Sequence, residues 1–151
     1  MNVKELMGRG DKIMLSVLPF LVFGLVLNIL YPDLFSIGSP RAAFQLLSIL
    51  VLIVGVTLWI WTVVLILTRV PRHQLITSGP YAIMKHPLYT GVALLVFPWV
   101  GFLFGTWLGL AIGLILYGAS RIFSPQEEQQ LAAAFGMEWE KYTNRVILPW
   151  L

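Results

Sequence analysis

The sequence predicts an all-α, polytopic membrane protein. It has about four transmembrane helices, the last two forming a tight hairpin, and a cytoplasmic C-terminal helical tail. Three observations predict this. Charged residues make up 11% of the chain and hydrophobic ones 58%, with a mean hydropathy of +0.84. A soluble domain carries about a quarter charged residues, so this chain cannot cover a water-facing surface. Long stretches carry no charge at all. The basic residues gather on one side of a four-span arrangement.

The first uncharged run lies between Lys12 and Asp33. Its residues Ile13 to Pro32 are enough to cross a hydrocarbon core of about 30 Å at about 1.5 Å per residue. Its basic start imitates a secretory signal, and Ser36-Ile37-Gly38 is a loose cleavage-site match. The apolar stretch is long for a signal and the match falls beyond its end, so an uncleaved first span is expected. The second run, Ala42 to Thr68, could span with tilt. The third, Pro87 to Ser120, would make one helix of about 51 Å, too long for one crossing. Pro98, Gly101 and Gly105 lie near its middle. A hairpin of two short helices is therefore expected, over about 88–104 and 106–123. One span plus a re-entrant piece is the alternative.

Lys4, Arg9 and Lys12 precede the first span. Arg69, Arg72 and Lys85 lie in the connector 69–87, and Arg121, Lys141 and Arg145 in the C-terminal part. Arg41 alone falls on the other side, so the positive-inside rule places both termini and the connector in the cytoplasm. The net charge of +3 is thereby assigned to a membrane face, and no nucleic-acid partner is expected. There is no cysteine, which excludes disulfides and thiolate chemistry. Two histidines without metal-ligand spacing give no metal site, and no phosphate loop or dinucleotide glycine fingerprint occurs. No repeat or low-complexity segment divides the chain, and a single domain over 1–151 is expected.

The tail 124–151 reads as helical. Ser124 suits an N-cap, Pro125 the first helical position and Glu127 a capping box. Leu131 and Phe135 share a face, and Gly136 is a natural stop. Trp139, Tyr142 and Trp150 suit a membrane–water interface.

The connector is crowded with chemistry: Ser78-Gly79-Pro80-Tyr81-Ala82-Ile83-Met84-Lys85-His86-Pro87-Leu88-Tyr89-Thr90-Gly91. Gly79-Pro80 marks a turn and opens a short helix. Pro87 biases His86 away from helical geometry and can start the third span. His86 then sits at a helix N-terminus, where unpaired N–H groups favour an anion. Gly91 would let another group approach closely. Singly, these residues are explained by turn chemistry, helix starts and positive-inside anchoring. Glu127 can be a cap partner, Glu128 a solvated side chain, Arg121 a snorkelling cation and Arg145 a surface charge. Jointly, Tyr81, Lys85, His86, Tyr89, Arg121, Glu127, Glu128 and Arg145 would meet in one cytoplasmic zone walled by apolar spans. That points to a site for a charged small molecule beside an entrance for a lipophilic one. The reaction is not named by these features.

The segment from His73 to Gly91, an apolar hairpin, and then the segment from Glu127 to Val146 resemble the isoprenylcysteine carboxyl methyltransferase family and related phospholipid methyltransferases. The shared pattern is Arg-His-Pro-x-Tyr-x-Gly, then Glu-Glu, Phe-Gly and Tyr…Arg-Val, over about half the chain. The resemblance implies an integral membrane enzyme using S-adenosylmethionine. By it, His86, Pro87, Tyr89 and Gly91 match the cofactor motif, Glu127 and Glu128 the paired acids, and Arg121 and Arg145 basic positions near the substrate entrance. Lys85 stands where arginine is typical and loses the planar fork. Trp139 stands where tyrosine is more usual.

The expected reaction is methyl transfer to a lipophilic or small acceptor (carboxylate, amine or thiol) arriving from the bilayer. Tyr81, Lys85, His86, Pro87, Tyr89, Gly91, Glu127 and Glu128 are the expected cofactor-binding residues. Arg121, Glu128 and Arg145 are the expected catalytic ones. Two other readings stay open: an NADPH-dependent enzyme like the membrane sterol reductases, and a non-catalytic membrane protein that keeps the fold.

Overall fold

The computed structural model describes the backbone of residues 3–151 and the side chains from residue 12 onward. Lys4 and Arg9, counted above toward orientation, lie outside the described side chains. The described residues are helical, with no strand and only two isolated bridges, Ser36–Thr106 and Met84–Leu148.

Helix α1 (Val3–Leu30) turns its buried side chains Ile13 and Val17 toward α7 and leaves Leu15, Phe23 and Ile29 exposed. It stops short of the expected Pro32, because Pro32 opens a separate turn, α2 (Pro32–Phe35). That turn is fastened to the far end of the hairpin. The Trp107 indole N–H donates to the Leu34 carbonyl (3.1 Å), and the Trp107 amide donates to the Phe35 carbonyl (2.9 Å). Thr106 Oγ1 donates to Asn28 Oδ1 (3.2 Å) and accepts from the Leu108 amide (3.2 Å). These bonds satisfy polar groups that the bilayer would leave unpaired.

Helix α3 (Ala42–Arg69) buries only Ser48, Gly55 and Thr62, seven residues apart on one stripe. Gly55 takes the backbone of Leu95 against it, where a Cβ would lie 2.8 Å from the Leu95 side chain. The two hydroxyls are buried because each donates to a carbonyl four residues back, Phe44 (2.9 Å) and Leu58 (2.8 Å). A 3₁₀ turn (Val70–Arg72) follows, then the short helix α4 (Pro80–Ile83).

The expected third span is one apolar helix, Pro87–Leu103, with an irregular middle. Helix α5 (Pro87–Gly91) passes into a π-helical stretch (Val92–Val96) and then α6 (Phe97–Leu103). Pro98 explains the irregularity: it has no N–H and crowds the preceding turn, and the wider π turn relieves that crowding. The Phe97 amide accordingly reaches back five residues, to the Val92 carbonyl. A turn at Gly105 (φ +71°) leads into α7 (Leu108–Phe135). The helices of this hairpin meet backbone to backbone. A Cβ on Gly113 would fall on the Ala93 carbonyl and one on Gly109 on the Phe97 carbonyl. Such small-residue contacts are how helices associate where no hydrophobic force separates protein from lipid.

Three helices are long and apolar enough to cross a membrane, Lys12–Leu30, Ala42–Arg72 and Leu108–Phe135, with Pro87–Leu103 a shorter fourth apolar helix. One expectation fails clearly. Ser124 does not cap a new helix, and Glu127 closes no capping box: α7 runs unbroken through Pro125 to Phe135. Downstream packing of Leu131 and Phe135 holds the helix past the one backbone bond the proline removes. Gly136 (φ +50°) does end it, and α8 (Met137–Thr143) turns back.

The tail's aromatic pair is also placed differently from expectation. Trp139 and Tyr142 are 7% and 5% exposed, packed with Leu75, Tyr81, Leu131 and Phe135 rather than lying at a lipid interface. Trp150 is exposed. After α8 the chain runs beside the connector. The Leu148 amide donates to the Ile83 carbonyl (2.8 Å), and the Lys85 amide donates to the Leu151 carbonyl (3.0 Å).

Candidate functional site

The connector's shape follows from its glycine and prolines. Gly79 adopts φ +63° directly under the Trp61 ring, where a Cβ would sit 3.0 Å from ring atoms. Pro80 then starts α4 and Pro87 starts α5, leaving His86 outside helical geometry between them (φ −123°, ψ 58°). His86 is buried at 6% exposure.

Across from it stands the penultimate part of α7. Glu128 Oε2 accepts from Lys85 Nζ at 2.9 Å, and Oε1 lies 3.1 Å from His86 Nε2. An ionised carboxylate can only accept, so Nε2 carries the proton. In the neutral tautomer Nδ1 is then an acceptor. Both Glu128 oxygens are thus engaged, each by a different connector residue.

Around this three-residue link lies a cavity of about 350 Å³. Tyr81, Lys85, His86, Tyr89 and Glu127 line its polar side, and Val63, Ile66 and Leu67 of α3 its apolar side. Leu131, Phe135, Trp139 and Tyr142 close it from the tail. The size falls in the range of small-molecule sites, about 300–1,000 Å³. Beside Gly91, which is buried, the space a Cβ would take is open. The Tyr142 hydroxyl donates to the Tyr81 carbonyl (2.9 Å), tying α8 to α4. Burial pushes the phenols of Tyr81 and Tyr142 up from their ordinary value, with the nearby Glu127 and Glu128 carboxylates adding to the effect.

A second, more open cavity of about 670 Å³ lies on the other side of the segment His73-Gln74-Leu75. Arg69, Glu138, Lys141 and Arg145 line it.

Of the residues singled out in the sequence, Tyr81, Lys85, His86, Tyr89 and Glu127 meet at the first cavity, with Glu128 bound to two of them. Pro87 and Gly91 are buried in α5 just behind. Arg145 belongs to the second cavity. Arg121 is exposed on α7 and lines neither. The wall supplied by Leu75, Phe135, Trp139 and Tyr142 went unrecognised, although the spacing of the tail aromatics carried the signal. The α3 wall is apolar like the rest of its span and gave none.

Residues 42–133 match the isoprenylcysteine carboxyl methyltransferase (ICMT) family. No curated protein and no solved structure matches the chain. The match takes in α3, the connector, the hairpin and the Glu127–Glu128 turn of α7, which is well over half the chain. The chain belongs to the isoprenylcysteine carboxyl methyltransferase family, a family of membrane methyltransferases.

Proposed function

We infer that the protein transfers a methyl group from S-adenosylmethionine to a lipophilic or small acceptor at the cytoplasmic membrane face. One observation carries this reading. Two motif halves some forty residues apart, His86-Pro87-x-Tyr89-x-Gly91 and Glu127-Glu128, close on one cavity through the Lys85–Glu128 and His86–Glu128 contacts. The four-crossing topology with both termini and the connector in the cytoplasm belongs to the same reading. The one-sided basic residues support it.

The donor set suits this cofactor. Lys85 and the N-terminus of the α5 helix would receive its carboxylate, and Glu127 its ammonium or ribose hydroxyls. The aromatic rings of Tyr81, Tyr89 and Trp139 offer faces for a purine. Its sulfonium, when bound, supplies an already electrophilic methyl group. The chain's own residues then have to hold, orient and dry the site. Glu128 keeps His86 and Lys85 in place, and its hydrogen bonds with His86 and Lys85 hold its carboxyl down at about 2, which makes it a weak base. An ionised carboxylate or thiolate acceptor needs no base. An amine would have to give up a proton, and His86 would be placed to assist through Nδ1. The apolar wall of Val63, Ile66 and Leu67 is where a lipophilic acceptor would lie. Arg121 and Arg145 stand outside this cavity and act on the acceptor's approach.

Calorimetry of the purified protein with the demethylated cofactor product tests the reading. Micromolar binding by wild type, weakened about tenfold or more in His86→Ala and Glu128→Ala, is expected. Binding of NADPH in its place by folded wild type would sink it.

A further inference from the structure

The second cavity lies apart from the cofactor pocket, sharing with the reading above only Arg145 on the acceptor's approach, and its chemistry differs. Arg69, Lys141 and Arg145 all line it, with His73 beside them and Glu138 as its carboxylate. Among the described residues, none of these three cations forms an ion pair. Arg69 spends one donor on Gln74 Oε1 (3.3 Å), and a guanidinium has five.

A second observation is independent of charge. His73 is the one non-glycine among the described residues with a left-handed backbone, at φ 52°. Such a conformation is costly for a side-chain-bearing residue and tends to persist at functional sites. It places His73 in the wall shared by both cavities. Arg69 lies within three residues of the end of the apolar helix Ala42–Arg72, a placement that would open the cavity near headgroup level.

We propose that this cavity binds a phosphate ester, held by Arg69, Lys141 and Arg145. Several cations converging on one space suit an anion with several oxygens, and each guanidinium can engage two of them. The phosphate of a lipid headgroup and that of a soluble ester offer the same chemistry. This assignment rests on the membrane placement of α3 and is independent of cofactor binding at the first cavity.

Native mass spectrometry of the full chain in detergent tests it, using phosphatidylglycerol and phosphatidylcholine with the same acyl chains. Phosphatidylglycerol should be retained about tenfold more in wild type, as expected for charge-assisted bonds. The preference should vanish in the Arg69→Gln/Arg145→Gln double variant, whose positions are exposed and whose fold circular dichroism can check. It should persist in Arg72→Gln, an exposed neighbour outside the cavity. Displacement of the lipid by millimolar glycerol 3-phosphate would assign the site to a soluble ester, and resistance to it would assign the site to the lipid. An Arg72→Gln loss as large as that of the double variant would overturn the proposal. So would an unchanged double variant, or displacement of the lipid by the demethylated cofactor product.

Discussion

The two cavities share the wall formed by His73, Gln74, Leu75 and Tyr142, yet they treat charge in opposite ways. In the first, Lys85 and His86 are withdrawn from water and each is tied to Glu128. In the second, the cations are exposed and unpaired. The difference follows from burial. A charge removed from water costs several kcal/mol unless a partner compensates it, whereas an exposed one needs none. The first cavity is therefore already organised electrostatically, and the second is organised only in shape.

The comparison can be broken at several points. Glu128→Ala should do most, because it strands His86 and Lys85 together. The affinity for the demethylated cofactor product should fall roughly tenfold to a hundredfold by calorimetry, as for loss of charged hydrogen bonds. An unchanged affinity would mean that the link is only structural. Trp139→Ala removes a buried wall of the same cavity and should lower stability by about 3 kcal/mol in chemical denaturation, with a smaller loss of affinity. Lys85→Arg retains the charge and adds the fork, so affinity should change by about threefold or less. A larger change would show that lysine is a specific adaptation of this chain. Lys141→Gln, which lines only the second cavity, should leave the same affinity within about twofold.

The smallest effect is spectroscopic. Because their folded-state values are raised, Tyr81 and Tyr142 stabilise the fold fully below the ordinary phenol value, and that contribution is lost as pH rises through the raised value. Absorbance near 295 nm (roughly the tyrosinate band) should show these two of the five tyrosines resisting ionisation above pH about 10. Their titration with the others would place them in water.

Much of this was legible from residue order alone. The uncharged runs marked the helices, because a hydrocarbon core admits few charges. Gly79-Pro80 and His86-Pro87 marked the turns, because proline fixes its own φ and constrains its neighbour. The same local logic misplaced a boundary at Ser124-Pro125. Serine and proline are good helix starters, and a helix runs on through them only if other contacts offset the proline's cost; here those of Leu131 and Phe135 do so. Trp139 and Tyr142 resemble interfacial aromatics in any sequence. Their burial depends on Leu75 and Tyr81, more than fifty residues away. Arg145 was grouped with the motif residues by charge but lines another cavity, a distinction that needs three dimensions.

The continuity of α7 has a mechanical consequence. Its 28 residues form a rod of about 42 Å, longer than a hydrocarbon core of about 30 Å. One end is pinned beside Trp107 and the other carries Glu127 and Glu128. With no hinge at Ser124, tilting the rod would carry the acidic pair with it, and bilayer thickness would then be an input to the site's geometry. Reconstitution in lipids of stepped acyl length should give a methyl-transfer rate that peaks at one thickness. A flat profile would mean that the connector travels with the rod.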